Sequence, residues 1–275
     1  MKLSLFSTLR GYRKEYLPKD IFSGIIIAAV SIPISMGYAQ ISGIPAVYGL
    51  YGSVLPILLF ALFSTSRQFI FGVDAAPAAI VGGALSTLGI AAESEAAMDY
   101  VPAIALFAGL WLFIFFLLHA DKIVDFISTP VMGGFISGIA VTIILMQIPK
   151  LMGSPAGSGE LLELAGHIFA AAKTISWLSL FMGLGALVLI RTFKKLAPKF
   201  PMAIVIMALG VLSTVVFHVD EKGVVLLQSV ERGLPSLVIP DFGNIDLTQA
   251  AGRGLMVAVV IMAETLLAEN TFAFR

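Results

Sequence analysis

The chain of 275 residues is 59% apolar and only 12% charged, and its basic and acidic side chains cancel to a net charge of zero. A mean hydropathy of +0.99 lies outside the range of soluble globular domains. The neutral balance excludes a basic face for nucleic acid, and the lack of cysteine excludes disulfides and thiolate-held metals.

An all-α polytopic membrane protein remains, because the apolar segments are continuous runs instead of the short alternating segments of a membrane barrel. Residues 1–20 are polar with interspersed Leu, Phe and Tyr, and read as a cytoplasmic interfacial lead-in. The run after Asp20 is a full span in length, longer than the apolar core of a signal peptide. About eight spans are predicted, over 21–40, 49–64, 72–90, 101–118, 124–148, 175–191, 200–217 and 251–269. No charge interrupts Ile21 to Ser66, which leaves room for two spans and their turn.

Sorting the cations by side puts twelve with the N-terminus: Lys2, Arg10, Arg13, Lys14, Lys19, Arg67, Lys122, Arg191, Lys194, Lys195, Lys199 and Arg275. Five fall opposite: Lys150, Lys173, Lys222, Arg232 and Arg253. The positive-inside rule then places both ends in the cytoplasm. The loop around Glu93, Glu95 and Asp99 faces outward, as does His218 to Asp246, where Val and Leu alternate with Gly, Pro and charges and short strands are expected.

Pro33 interrupts span 1, flanked by Ser31 and Ser35 with Tyr38 one turn on. Polar groups inside a span face protein or water, or bond back to their own helix carbonyls. In span 5, Pro130 with Gly133, Gly134 and Gly138 permits close helix approach.

The third span begins differently. The cluster STSRQ reaches water at Arg67, and Phe69 to Ile80, FIFGVDAAPAAI, then restarts as a helix. Extended chain from Gln68 to Val73 covers roughly 20 Å at ~3.3 Å per residue, against a ~30 Å hydrocarbon layer, so the helix begins near the midplane. Asp74 is a good N-cap and Pro77 is tolerated in the first turn. The amides of Ala75 and Ala76 lack intrahelical partners, and with the positive end of the helix dipole they attract an anion. Broken helices of this kind mark substrate sites in secondary transporters. An ordinary span with a Gly-rich start and Asp74 at the water interface is the other reading of the same spacing.

Glu264 lies deep within LMVAVVIMAETLLAENTF, residues 255–272. An acid at membrane depth is a functional candidate. Low dielectric favours a carboxyl's neutral form, which suits proton exchange, whereas an ionised carboxylate there pairs with a cation. Glu269 points about 140° away around the helix and reads as interfacial. His119, His167 and His218 fall at span ends or in loops. With no phosphate-cradling Gly-Lys motif, metal-ligand spacing or nucleophile elbow, an enzyme has no support, and no cofactor is implied beyond a coupling H⁺ or Na⁺.

Residues 19–52, KDIFSGIIIAAVSIPISMGYAQISGIPAVYGLYG, resemble the signature that opens SulP anion transporters: D-x-x-A-G-x-x-x-A, then I-P-Q-S-M-A-Y-A, then G-x-P-P-x-x-G-L-Y. GVDAA, 72–76, is similar to the G-P-D-A-A that starts the family's third span, and AETLL, 263–267, to its eighth-span E-S-L-L. The resemblance implies fourteen spans in two inverted repeats of seven, a core and a gate domain, and often a cytoplasmic STAS domain. The anion site then lies between the half-helices of spans 3 and 10, lined by spans 1 and 8. The positions carried over are Pro33, Ile34, Ser35, Tyr38, Gly72 to Ala76, and Glu264. Of these, Ser35, Tyr38, Gly72, Asp74, Ala75, Ala76 and Glu264 form the expected substrate set, and Glu264 is also the coupling-ion residue.

On this pattern 21–118 holds core-domain spans 1–4, 124–217 gate-domain spans 5–7, 218–250 an extracellular segment, and 251–275 core-domain span 8 with a truncated end. Ile34 stands where the family has Gln, and Val73 where it has Pro. The chain stops five residues after Asn270, so a fragment lacking the second repeat and any STAS domain is expected. The implied activity is elevator transport of sulfate, bicarbonate or a small dicarboxylate across a cell membrane, by a homodimer when full length. The Asp74 carboxylate repels such a substrate unless it turns aside or is neutral. A nucleobase–cation symporter on the same architecture, with a span-8 Glu beside its substrate, is one alternative. A non-transporting half-protein that serves as an interaction subunit is another.

Overall fold

The computed structural model describes residues 11–64, 71–120, 129–157, 159, 161–196, 202–227, 233 and 239–273, with only the backbone described at 129, 132 and 267–273. The helices among them are α1 (Leu17–Ile41), α2 (Ala46–Phe63), α3 (Ala75–Thr87), α4 (Glu95–Leu117), α5 (Thr129–Leu151), α6 (Leu161–Lys173), α7 (Trp177–Leu196), α8 (Met202–Phe217) and α9 (Leu247–Ala273). Six carry a stretch long and apolar enough to cross a membrane, while α3 and α8 are apolar but shorter. With 13 residues α3 is only about 20 Å long, a half-helix against a ~30 Å hydrocarbon layer.

The chain divides into two compact units. One takes Met1–Tyr12, Ser35–Ile143 and Glu231–Arg275, the other Arg13–Ile34 and Ile144–Val230. In the first, α3, α4 and α9 share a core of small residues, with Ala97, Ala103, Ala250 and Ala258 fully buried beside Ile104. Leu58, Leu110 and Phe113 are meanwhile more than half exposed. This inverted size pattern is what a bilayer dictates, since lipid tails solvate Leu and Phe as well as protein does and helices gain by close backbone approach.

Polar bonds pin one end of that core. Ser94 caps α4 through the Ala97 amide at 3.2 Å, and Asp246 caps α9 through the amides of Thr248 and Gln249. The Asp246 amide donates to Tyr100 Oη at 2.9 Å, and Trp111 Nε1 donates to the Ala251 carbonyl at 3.1 Å.

In the second unit α6 is an amphipathic helix that the hydropathy reading leaves as loop. Leu164 is fully buried on one side and Leu162 is 87% exposed on the other. Its flanks are tied by backbone bonds from Gly157 to Met146 and from Ser176 to Met152. The helices α7 and α8 bury no residue.

Two further expectations need correcting. Helix α1 runs through Pro33 without a break; proline removes one amide and leaves the Ala29 carbonyl without its helical donor, but the flanking turns hold. Between His218 and Asp246 no described residue forms a strand; the segment has turns and a 3₁₀ helix at Phe242–Asn244, and much of it lies outside the described residues.

Candidate functional site at the start of the half-helix

Residues Phe71 to Asp74 precede α3 without helical structure, and the helix begins at Ala75. Asp74 has an extended backbone (φ −126°, ψ 146°), as an N-cap requires, and its Oδ1 accepts from the Ala76 amide at 3.4 Å. That is longer than an ordinary bond of this kind, so the amide is only loosely held. Asp74 itself is exposed and Ala76 is buried. At Gly72 an added Cβ would meet nothing within 4 Å, so the approach to the helix start is open.

Helix α1 supplies the neighbouring wall. Tyr38 lies near enough to Asp74 to feel its charge, and Ser42 Oγ anchors the Tyr38 carbonyl at 2.9 Å. Ser35 is fully buried. Two glycines explain how α1 is gripped: a Cβ on Gly49 of α2 would overlap the Ser35 carbonyl, and one on Gly82 of α3 would overlap the Ile41 carbonyl. Both neighbours therefore press backbone against backbone onto the last turns of α1, and any side chain there would force them apart.

Helix α9 brings the acid. Ile261, Met262, Thr265 and Leu266 face a cavity of about 810 Å³ that is almost wholly apolar, lined also by Leu59, Phe60, Phe115 and His119. At 100° per residue Glu264 points about 130° from the middle of that face. Its side chain lies near enough to Asp74 to feel its charge. Glu264 Oε2 is sealed from solvent and finds no donor among the described residues.

The fold thus gathers Tyr38, Asp74, Ala76 and Glu264 around the start of α3. It leaves Gly72 in the open approach, puts Ala75 in the first helical position, and places Ser35 in the α1–α2 contact. Sequence reasoning did not place Asp74 beside Glu264, since spacing along the chain does not relate side chains on different helices. Gly49 and Gly82 read only as small residues, since spacing within one helix does not say which backbone it meets. The side chain of Glu269 lies outside those described. Among the described residues, no three His, Asp or Glu side chains are grouped to hold a metal ion.

The chain matches the sulfate permease family over residues 17–275. A probable sulfate transporter of Mycobacterium tuberculosis is 26% identical over 267 residues, 97% of this chain and 47% of that protein. The chloroplastic sulfate transporter 4.1 of Arabidopsis thaliana is 30% identical over 285 residues, 97% of this chain and 41% of its own length. Among solved structures, the transmembrane domain of the cyanobacterium bicarbonate transporter BicA superposes with a TM-score of 0.75 at 19% identity, over 90% of this chain and 64% of that one. SLC26A9 superposes with a TM-score of 0.73 at 18% identity, over 95% of this chain and 46% of its own. The chain therefore spans about half the length of the curated relatives it matches and has the fold of the first part of an inverted-repeat transporter. With the short α3 starting at Asp74 and a family match that runs almost end to end, this chain belongs to the sulfate permease, or SulP, family.

Proposed function

We propose that the protein is a secondary active transporter of small anions, sulfate foremost, with bicarbonate and small dicarboxylates in the same chemical class. The observation that carries the reading is the start of α3: a helix beginning next to open space at Gly72, with a loosely held Ala76 amide and the positive end of its dipole turned toward whatever enters. Membership of a family of transporters supports it. Transport proceeds by an elevator movement of the core domain, 21–118 and 251–275, against the gate domain, 124–217. Glu264 carries the coupling ion, H⁺ or Na⁺. The N-terminus faces the cytoplasm of a cell membrane, as the cation asymmetry favours, and the full-length protein is a homodimer.

Uptake of labelled sulfate by the full-length protein in proteoliposomes, under an inward proton or Na⁺ gradient, tests this. Saturable uptake inhibited by unlabelled bicarbonate or fumarate is the expected result. Inhibition or uptake of uracil without any of sulfate would replace the reading with a nucleobase symporter. Glu264→Gln is expected to abolish gradient-driven accumulation while leaving exchange, and unchanged ion dependence in that variant removes Glu264 from the coupling.

A further inference from the structure

Helix α5 is long and apolar enough to cross a membrane up to Leu151, and α7 from Trp177 onward. The segment that joins them holds α6, and backbone bonds keep it level with the end of α5. The Ser176 amide donates to the Met152 carbonyl at 2.9 Å, and the Gly157 amide donates to the Met146 carbonyl at 2.8 Å. Met146 stands six residues before Met152, about 9 Å back along the chain's helical path, and about 6 Å inside Lys150. Lys150 is the one charged residue of α5, so it marks the end that meets water. Leu164 of α6 packs at the deeper level: a Cβ on Gly157 would lie 3.0 Å from Leu164 Cδ2 and 3.6 Å from Met146 Cα. Met146, Pro149 and Leu164 are all buried. Helix α6 therefore lies beside the last turns of a membrane helix, not beyond them.

Its outer face is apolar as well. Leu164 and Ala171 define the buried side, and at 100° per residue Leu162 and Phe169 form one stripe about 160° round from them. These two side chains are 87% and 73% exposed. Glu163 and His167 lie on a single flank between the two faces. Helix α7 begins four residues after α6 ends, and its first residue, Trp177, is exposed and sits beside exposed Phe181 with ring centroids 6.4 Å apart. Tryptophan is enriched where membrane meets water, because its ring is apolar and its N–H is not. Helix α7 buries no residue, so the outer surface of α6 continues into a lipid-facing one.

We propose that α6 is an interfacial helix whose Leu162–Phe169 stripe is seated among the lipid acyl chains of the leaflet at which α5 ends. The inference goes beyond the transport reading and does not depend on what is carried. A level about 6 Å inside Lys150 falls within the ~5–10 Å to which amphipathic helices sink at the boundary between headgroups and chains. In water the stripe would expose two large apolar side chains, which is unfavourable; acyl chains solvate them as well as protein does. Lys173, at the end of α6, has a stem long enough to carry its charge back to the headgroups. The helix thus holds the turn between α5 and α7 at the membrane boundary: Leu164 grips the protein and the opposite stripe grips the leaflet.

The test places a nitroxide at Leu162→Cys, Phe169→Cys or Glu163→Cys in the full-length protein held in lipid nanodiscs; residues 1–275 bring no cysteine of their own. Spin resonance reads collisions with oxygen, which concentrates in acyl chains, and with a nickel chelate, which stays in water. The ratio of oxygen to nickel access is expected to be several-fold higher at 162 and 169 than at 163. Nickel access at 162 and 169 equal to that at 163 overturns the proposal, because the stripe is then in water. Low access to both reagents also overturns it, because protein then covers the stripe, whether a second copy or another part of the chain. All three side chains are exposed, so folded protein is expected from each variant. Leu162→Trp and Phe169→Trp give an independent reading through the fluorescence they add to the parent. Quenching of that added signal by lipids brominated on their chains is expected, and quenching by aqueous acrylamide alone, or by neither, refutes the seat in the leaflet.

Discussion

Replacing Gly49 by alanine adds a single methyl group, yet the structure makes it a severe change. The new Cβ would overlap the Ser35 carbonyl, and the atoms it meets are backbone, so no side chain can swing aside. Helix α2 must retreat from α1 by about 1 Å to restore van der Waals distance. Overpacking of this kind costs about 1–3 kcal/mol. The functional cost is larger, because Ser35 lies one turn before Tyr38 on the wall of the site, and a displacement near 1 Å at a positioned site costs on the order of 100-fold in rate. Gly37→Ala is the matched control. It lies on the same stretch of α1, its added Cβ meets nothing within 4 Å, and alanine is favoured over glycine inside a helix by about 1 kcal/mol. Thermal unfolding in detergent and sulfate uptake in proteoliposomes are measured on both. Gly49→Ala is expected to melt several degrees lower and to lose most uptake, and Gly37→Ala to melt no lower than the parent. Equal behaviour of the two variants would falsify the backbone-contact argument.

Three stability predictions follow from other contacts, each read by thermal unfolding of the purified protein. Trp111→Phe keeps the ring and deletes the bond to the Ala251 carbonyl, so a loss of about 1 kcal/mol is expected; no loss means the indole N–H contributes nothing to the α4–α9 contact. Asp246→Ala removes the acceptor for two first-turn amides of α9 and should cost about 1 kcal/mol, most of it restored by Asp246→Asn. In α6, Leu164→Ala should cost about 2–5 kcal/mol and Leu162→Ala less than about 0.5 kcal/mol, because the first side chain is buried and the second 87% exposed. A reversed order would show that the helix presents its other face to the unit.

How much of this was legible beforehand depends on the physical range of each signal. Hydropathy is a local property, so the apolar helices were readable, six of them long enough to cross a membrane and α3 and α8 shorter, with the α3 start at Asp74. The α6 helix was missed because it is short and amphipathic, and a window average that sums its apolar and polar faces records that as loop. Pro33 was read as a break because proline's cost is local, whereas a long apolar helix tolerates one missing bond. Membership of the family was readable from the motifs themselves.

Composition and motifs alone establish a helical membrane protein, a helix that restarts after Asp74 and an acid, Glu264, within an apolar run. It takes the packing of the helices to bring these two acids near enough to feel each other's charge. They are separated by 190 residues of chain, and neither helix periodicity nor span assignment relates side chains on different helices. That relation is made by backbone contacts at small residues and by the packing of α3 and α4 against α9.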